Sequence, residues 1–200
     1  MSAARAEILA RVRAATAHAA PVAPAAYEPP AQREDDLAAL FAERVAEYDV
    51  GVRRGGPVAE TVAAICAEHG ARRLGVAGGL PSEWRPRTVE LVHDDALGAY
   101  ELDLLDGALT GCALAIAETG TIVLDHGPAQ GRRALTLVPD LHICVVETSA
   151  IVEGVADAFA RLRAEGPVTF VSGPSATSDI ELSRVRGVHG PRRLEVVLIP

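Results

Sequence analysis

The chain has 200 residues, 49% hydrophobic and 23% charged, a balance that suits one globular domain with a sizeable core. Its net charge of -8 excludes general nucleic-acid binding, which needs a basic stripe against the phosphates. All 19 basic residues are Arg, so the lack of Lys excludes both a Schiff-base amine and a phosphate-loop lysine.

In chain order, an Ala-rich helix is expected over residues 3–17, capped by Ser2, with Ile8, Leu9 and Val12 as a thin apolar face. Charges at Arg5, Glu7, Arg11 and Arg13 make this segment unlike a signal peptide. Residues 19–31 are rich in Pro and Ala and read as an extended linker. Leu37, Leu40, Phe41, Val45 and Tyr48 recur at helical spacing, giving a helix over about 33–48. A short strand at 50–53 precedes Pro57, which opens a helix with Val58, Val62, Ile65, Cys66 and His69 on one face; Gly70 stops it.

Strands are expected at 74–77 and 89–92, and a helix at 97–105. Apolar runs at 111–117, 121–124, 141–146, 168–171 and 194–199 read as further strands. Ile151, Val155, Phe159 and Leu162 define a helix over about 149–164. Helices alternating with short apolar strands define an α/β class with a largely parallel sheet flanked by helices. The domain organisation is an N-terminal helix and Pro-rich linker over 1–31, then one α/β domain over 32–200. No apolar run approaches membrane-spanning length. Cys66, Cys112 and Cys144 lie far apart in apolar runs, with no CxxC, and read as buried thiols of a reducing cytoplasm. No metal site, and no iron–sulphur cluster held by this chain alone, is expected from them.

The chemistry-bearing residues gather in two stretches. The first is 110–133, TGCALAIAETGTIVLDHGPAQGRR. It sets Glu118 at a strand end beside Thr119, Gly120 and Thr121, then places His126 in a turn and Arg132-Arg133 after it. A carboxylate there suits a base, a nucleophile or a metal ligand or, equally, a turn acceptor of backbone N–H groups. Arg132 and Arg133 suit a substrate carboxylate, or simply face solvent. The second stretch is Ser172, Gly173, Pro174, Ser175, Ala176, Thr177, Ser178 and Asp179. It follows a strand and leads into a short helix at 179–184, so its hydroxyls and N–H groups suit an anion cradle or a plain capped loop. His126 and His189, each bounded by Gly and Pro, are candidate proton carriers, while His69 and His142 read as satisfied core residues.

These residues also carry a resemblance. AETGTIVLDHGPAQGRR, VPDLHICVV and FVSGPSATSDIELSRVRGVHGP resemble the lactate-utilisation protein C family, which carries the LUD domain, most specifically over about 110–195. The resemblance implies a fold similar to the NagB/RpiA/CoA-transferase group. It also implies a role in oxidising L-lactate to pyruvate in the cytoplasm, alongside iron–sulphur partner proteins, with a small carboxylate as substrate. It leaves the cofactor unknown, and whether this chain is itself the enzyme. Two rival functions stand beside it: an independent acyl- or phosphate-handling enzyme with Glu118 as covalent carboxylate, and a non-catalytic assembly subunit whose N-terminal helix and linker dock a partner. If strands 111–117 and 168–171 are parallel neighbours, Glu118 and the 172–179 loop share one pocket at their carboxyl ends.

Overall fold

The computed structural model describes residues 3–19, 36–162, 166–177 and 185–200. Contacts divide the chain into two units, Met1–Ala31 and Gln32–Pro200. In the first, α1 (Ala3–Thr16) buries none of its residues. The Thr16 hydroxyl donates back to the Val12 carbonyl at 3.0 Å, closing the last turn. The expected linker, from residue 20 onward, and the expected helix at 179–184 lie outside the described residues.

The second unit begins with α2 (Leu37–Ala46), whose N-cap Asp36 accepts from the Ala38 and Ala39 amides at 3.0 and 3.2 Å. There follow β1 (Gly51–Arg54), α3 (Val58–His69), β2 (Arg73–Val76), β3 (Glu90–His93), α4 (Ala99–Asp103) and β4 (Gly107–Thr110). Next come β5 (Leu114–Ile116), β6 (Thr121–Leu124), β7 (Leu141–Glu147), β8 (Ile151–Val152) and α5 (Val155–Arg161). The last elements are β9 (Thr169–Val171), β10 (Ala176–Thr177), β11 (Val185–Arg186) and β12 (Arg193–Ile199). Helix α3 sits where its punctuation puts it: Pro57 precedes it, and Gly70 ends it at φ 69°, a left-handed cap that a Cβ would disfavour.

Six strands form an all-parallel sheet in the order β1-β12-β7-β4-β2-β3. Both faces are covered, which is why β7 and β12 read as nearly continuous apolar runs. Alternation along β7 sends Leu141, Ile143 and Val145 to a core built with Val62 and Ile65 of α3. Cys144 and Val146 go to the opposite core, with Phe41 and Val45 of α2 and with Ile122 and Leu124 of β6. Each such aliphatic, fully buried, stabilises the fold by roughly 1.5–3 kcal/mol relative to exposure. The α/β class with a largely parallel, helix-flanked sheet is therefore as expected.

A second sheet was not expected. It has the order β8-β5-β6-β9, with β5 parallel to β8 and antiparallel to β6, and β6 antiparallel to β9. A short hairpin, β10-β11, stands beside it. Within the expected strand 111–117 only Leu114–Ile116 is strand, and β4, which was not expected, lies just before it. Strand β4 ends at Thr110 in the large sheet, and β5 starts at Leu114 in the small one. The chain changes sheets at Gly111, whose amide bonds to the Ala129 carbonyl at 3.0 Å instead of continuing a ladder. Burial on every side keeps the run apolar through the break, so hydrophobicity does not mark it.

The expected helix at 149–164 is also shorter. A single 3-10 turn (Thr148–Ala150) leads into β8, where Ile151 and Val152 pair with Ala115 and Ile116. Helix α5 begins only after Gly154, whose amide is held by Asp157 Oδ2 at 3.0 Å. Two β-branched residues thus go to a sheet that their helical spacing conceals.

Candidate functional site

The sequence candidates divide between two cavities. The first holds about 340 Å³ and draws its walls from both sheets. Strand β9 and the turn Ser172–Ala176 form one side, and Arg133 and Thr136 of a 3-10 turn (Arg133–Thr136) form another. His142 and Leu194 enter from the amino ends of β7 and β12, and His189, Gly190 and Pro191 complete the lining. The cavity therefore lies at the amino ends of these parallel strands rather than at the carboxyl rim. Among the described residues it is lined by one Arg, two His and four hydroxyls, with no Asp or Glu. In a chain of net charge -8 this is a locally anion-tolerant volume.

Its loops are cross-tied. Ser175 donates its amide to the Pro191 carbonyl at 2.8 Å and accepts the Gly187 amide at 2.9 Å on its own carbonyl. Its hydroxyl accepts the His189 amide at 3.2 Å. Gly173 takes φ 81°, and a Cβ there would fall 2.5 Å from Tyr48 Cβ. Glycine is needed at that point twice over, for the turn and for the contact. Thr177 pairs with Val185 in the β10-β11 hairpin; Ser178 and Asp179 lie outside the described residues.

Glu118 is elsewhere. It is exposed at the carboxyl end of β5, with its amide on the Glu153 carbonyl at 3.0 Å. It lines a separate open groove of about 360 Å³ with Arg44, Glu47, Tyr48 and Thr119. Strands β5 and β9 are not neighbours, because β6 runs between them. Glu118 and the 172–175 turn thus share a rim of the small sheet but not a cavity. What joins them is a line of hydroxyls: Thr119 Oγ1 lies 2.7 Å from Thr121 Oγ1, which lies 2.8 Å from Ser172 Oγ. Gly120 sits under α2 at φ 59°, where a Cβ would meet Val45 N at 2.5 Å. Its role is close packing.

The adjacent arginines differ completely. Arg132 Nε binds Asp94 Oδ1 and Oδ2 at 2.9 and 2.7 Å, and its Nη2 binds Asp94 Oδ1 at 2.7 Å and also the Leu97 carbonyl. The hydrogen bond and charge of Asp94 raise the Arg132 pKa further. Arg133 lines the cavity, and its guanidinium has no hydrogen bond or ion pair among the described residues.

The histidines are sorted as sharply. His69 Nε2 sits 2.9 Å from Glu195 Oε1. His126, at φ 62°, stands behind the cavity wall, with Nε2 3.2 Å from the Thr169 hydroxyl and Nδ1 buried without a partner among the described residues. His189 reaches the cavity from an exposed position. His142 is the residue the sequence did not offer as a site. It is 2% exposed, its Nε2 is 2.8 Å from Thr110 Oγ1, and it lines the cavity. Burial pulls its pKa from 6.5 down to about 4, so the ring is neutral at pH 7. The available signal was a single polar side chain near the start of an otherwise apolar strand, LHICVV.

The cysteines, distant in sequence, are not all distant in space. The neighbouring Cys144 thiol, together with burial, holds the Cys112 pKa well above the ordinary thiol range. Burial pushes Cys66 up to about 11. Thiols held protonated in this way are poor nucleophiles. Among the described residues no group of three or more His, Cys, Asp or Glu could hold a metal ion.

A parallel α/β sheet, a small mixed sheet stacked on it and an inter-sheet cavity lined by one Arg, unpaired among the described residues, define an α/β protein suited to a small anion. The LUD domain model matches residues 100–199. The chain is 44% identical to "Lactate utilization protein C" of Deinococcus radiodurans, over 98% of this chain and 95% of that one. It is 32% identical to the protein of the same name from Geobacillus kaustophilus, over 82% and 69% of the two chains. A solved structure of a DUF162 family protein from Deinococcus radiodurans superposes with a TM-score of 0.68 at 40% identity, covering 82% of this chain and 96% of that one. The chain belongs to the LUD domain family. No described helix is long and apolar enough to cross a membrane.

Proposed function

We propose that this chain takes part in lactate utilisation, as one component of a multi-protein system that oxidises L-lactate to pyruvate in the cytoplasm. The observation that carries this is the match at 44% identity, over nearly the whole length of both chains, to a protein named for lactate utilisation. Oxidising lactate to pyruvate removes two electrons and two protons. Iron–sulphur partner proteins take the electrons in this scheme, and this chain contributes the α/β domain of residues 32–200.

The inter-sheet cavity supports the small carboxylate as ligand. Arg133 offers a guanidinium with no other partner among the described residues, and Thr136, Ser172 and Ser175 offer hydroxyls around it. A carboxylate entering there meets no like charge among the described residues. Glu118, in its own groove beside α2, sits where a partner protein or a proton-accepting step could use it.

The test is lactate-dependent dye reduction by the reconstituted set of proteins. Omitting this chain should abolish the signal, and restoring it should return the signal. Undiminished reduction without the chain would remove it from the lactate reaction.

A further inference from the structure

Two of the three histidines that bond to other side chains are spent on the fold. His69 faces Glu195, and His126 stands behind Thr169. His142 differs: it is 2% exposed and it lines the cavity. Nε2 meets the Thr110 hydroxyl, itself fully buried, and Nδ1 makes no hydrogen bond among the described residues. An imidazole nitrogen that the fold does not use can donate to or accept from a ligand in the cavity that its ring lines. Nδ1 is not among the sealed, unpartnered atoms of the core, so it is not closed off from a ligand.

We infer that His142, backed by Thr110, is the specificity-determining residue of this cavity, reading the oxygen on the carbon next to the carboxylate. It rests on carboxylate binding at Arg133 and goes beyond it by naming the residue that reads the second oxygen of such an acid.

The chemistry follows from neutrality. A neutral imidazole has one donor and one acceptor nitrogen, whereas a hydroxyl can act either way. When the Thr110 hydroxyl donates to His142 Nε2, the proton sits on Nδ1, which donates to a keto oxygen. When Nε2–H donates to the Thr110 oxygen, Nδ1 is the acceptor and receives a hydrogen bond from the ligand's hydroxyl. Rotation of one threonine hydroxyl thus lets the same site hold the reduced and the oxidised member of a 2-hydroxy/2-oxo acid pair. Burial, which holds the ring neutral at pH 7, keeps both tautomers available. Arg133 carries the charge recognition, and His142 carries the recognition of the neutral oxygen.

The experiment is ligand titration of the full-length chain by NMR, with lactate, pyruvate and propionate as probes. Wild type should bind lactate and pyruvate about tenfold more tightly than propionate, the effect of one well-made hydrogen bond. His142→Phe should erase that preference while leaving the propionate affinity within about twofold, because propionate never used the hydrogen bond. Arg133→Ala should weaken all three ligands alike. If His142→Phe does not fold, Thr110→Val provides the second arm: it removes the tautomer-setting hydroxyl and should narrow the preference between the 2-substituted acids and propionate. Equal binding of all three by wild type, or an unchanged preference in both variants, overturns the assignment to His142. Binding of none of the three overturns the carboxylate site itself, and His142 falls with it.

Discussion

The hydroxyls of Thr121 and Ser172 meet at 2.8 Å across the β6-β9 edge, although 51 residues separate them in the chain. Thr121 also meets the hydroxyl of Thr119, which lines the groove that holds Glu118, and Ser172 lines the inter-sheet cavity. The pair therefore ties the acidic turn after β5 to the turn after β9. A double-mutant cycle with Thr121→Val and Ser172→Ala should show a coupling of about 1 kcal/mol in urea denaturation, the net value of one hydrogen bond. Additive effects would mean that the contact contributes nothing.

Arg132 and Arg133 should separate cleanly under mutation. Arg132→Ala leaves the Asp94 carboxylate, 1% exposed, without its bidentate partner, so the melting temperature should fall. Arg133→Ala should leave the melting temperature unchanged and remove carboxylate binding, since its guanidinium supports nothing else among the described residues. The reverse pattern in calorimetry and ligand titration would reassign the two.

Gly120→Ala should destabilise the fold strongly. The residue is at φ 59°, and the added carbon would lie 2.5 Å from Val45 N and 2.6 Å from the Arg44 carbonyl carbon. The left-handed conformation alone costs a non-glycine residue about 1–2 kcal/mol, and moving α2 away from the turn adds to it. Chemical denaturation would check this: a loss below 1 kcal/mol would show that α2 yields easily.

His142 gives stability a defined pH dependence. Its pKa falls from 6.5 in the unfolded chain to about 4 in the folded one, because the cationic form cannot be hydrated inside. Between these values the unfolded chain binds more protons, so stability rises with pH across this window. The contribution is complete above about pH 6.5 and is lost progressively as pH falls towards 4. Its upper bound is about 3 kcal/mol, from a shift of roughly 2.5 pH units. In stability curves measured from pH 4 to 7, His142→Phe should flatten this slope.

Glu118→Gln should leave pyruvate affinity unchanged, since Glu118 does not line the cavity. Lost activity in the reconstituted set with intact ligand binding would place Glu118 in a later step or at a partner. Weakened ligand binding would instead show that the two cavities communicate through the Thr119–Thr121–Ser172 hydroxyls.

Much of the scaffold was legible along the chain. Pro57 and Gly70 bracket α3, the TIVL run is β6, and LHICVVE is β7. Each is set by local sterics and by periodicity, which neighbouring residues alone express. The stretches 118–133 and 172–179 were also legible as places where Gly and polar residues interrupt apolar strands. Tertiary structure decided the rest. Strands β4 and β5 form one apolar run that two sheets divide, because pairing partners distant in sequence, Cys144 for Thr110 and Ile151 for Ala115, choose the sheet. Arg132 and Arg133 have the same side chain one position apart, yet Asp94 and Leu97 claim only the first. Cys112 finds Cys144, and His142 finds both Thr110 and a cavity, across 32 residues in each case. Residue type sets what a side chain can do, but its charge state and its ligand depend on what long-range packing places around it.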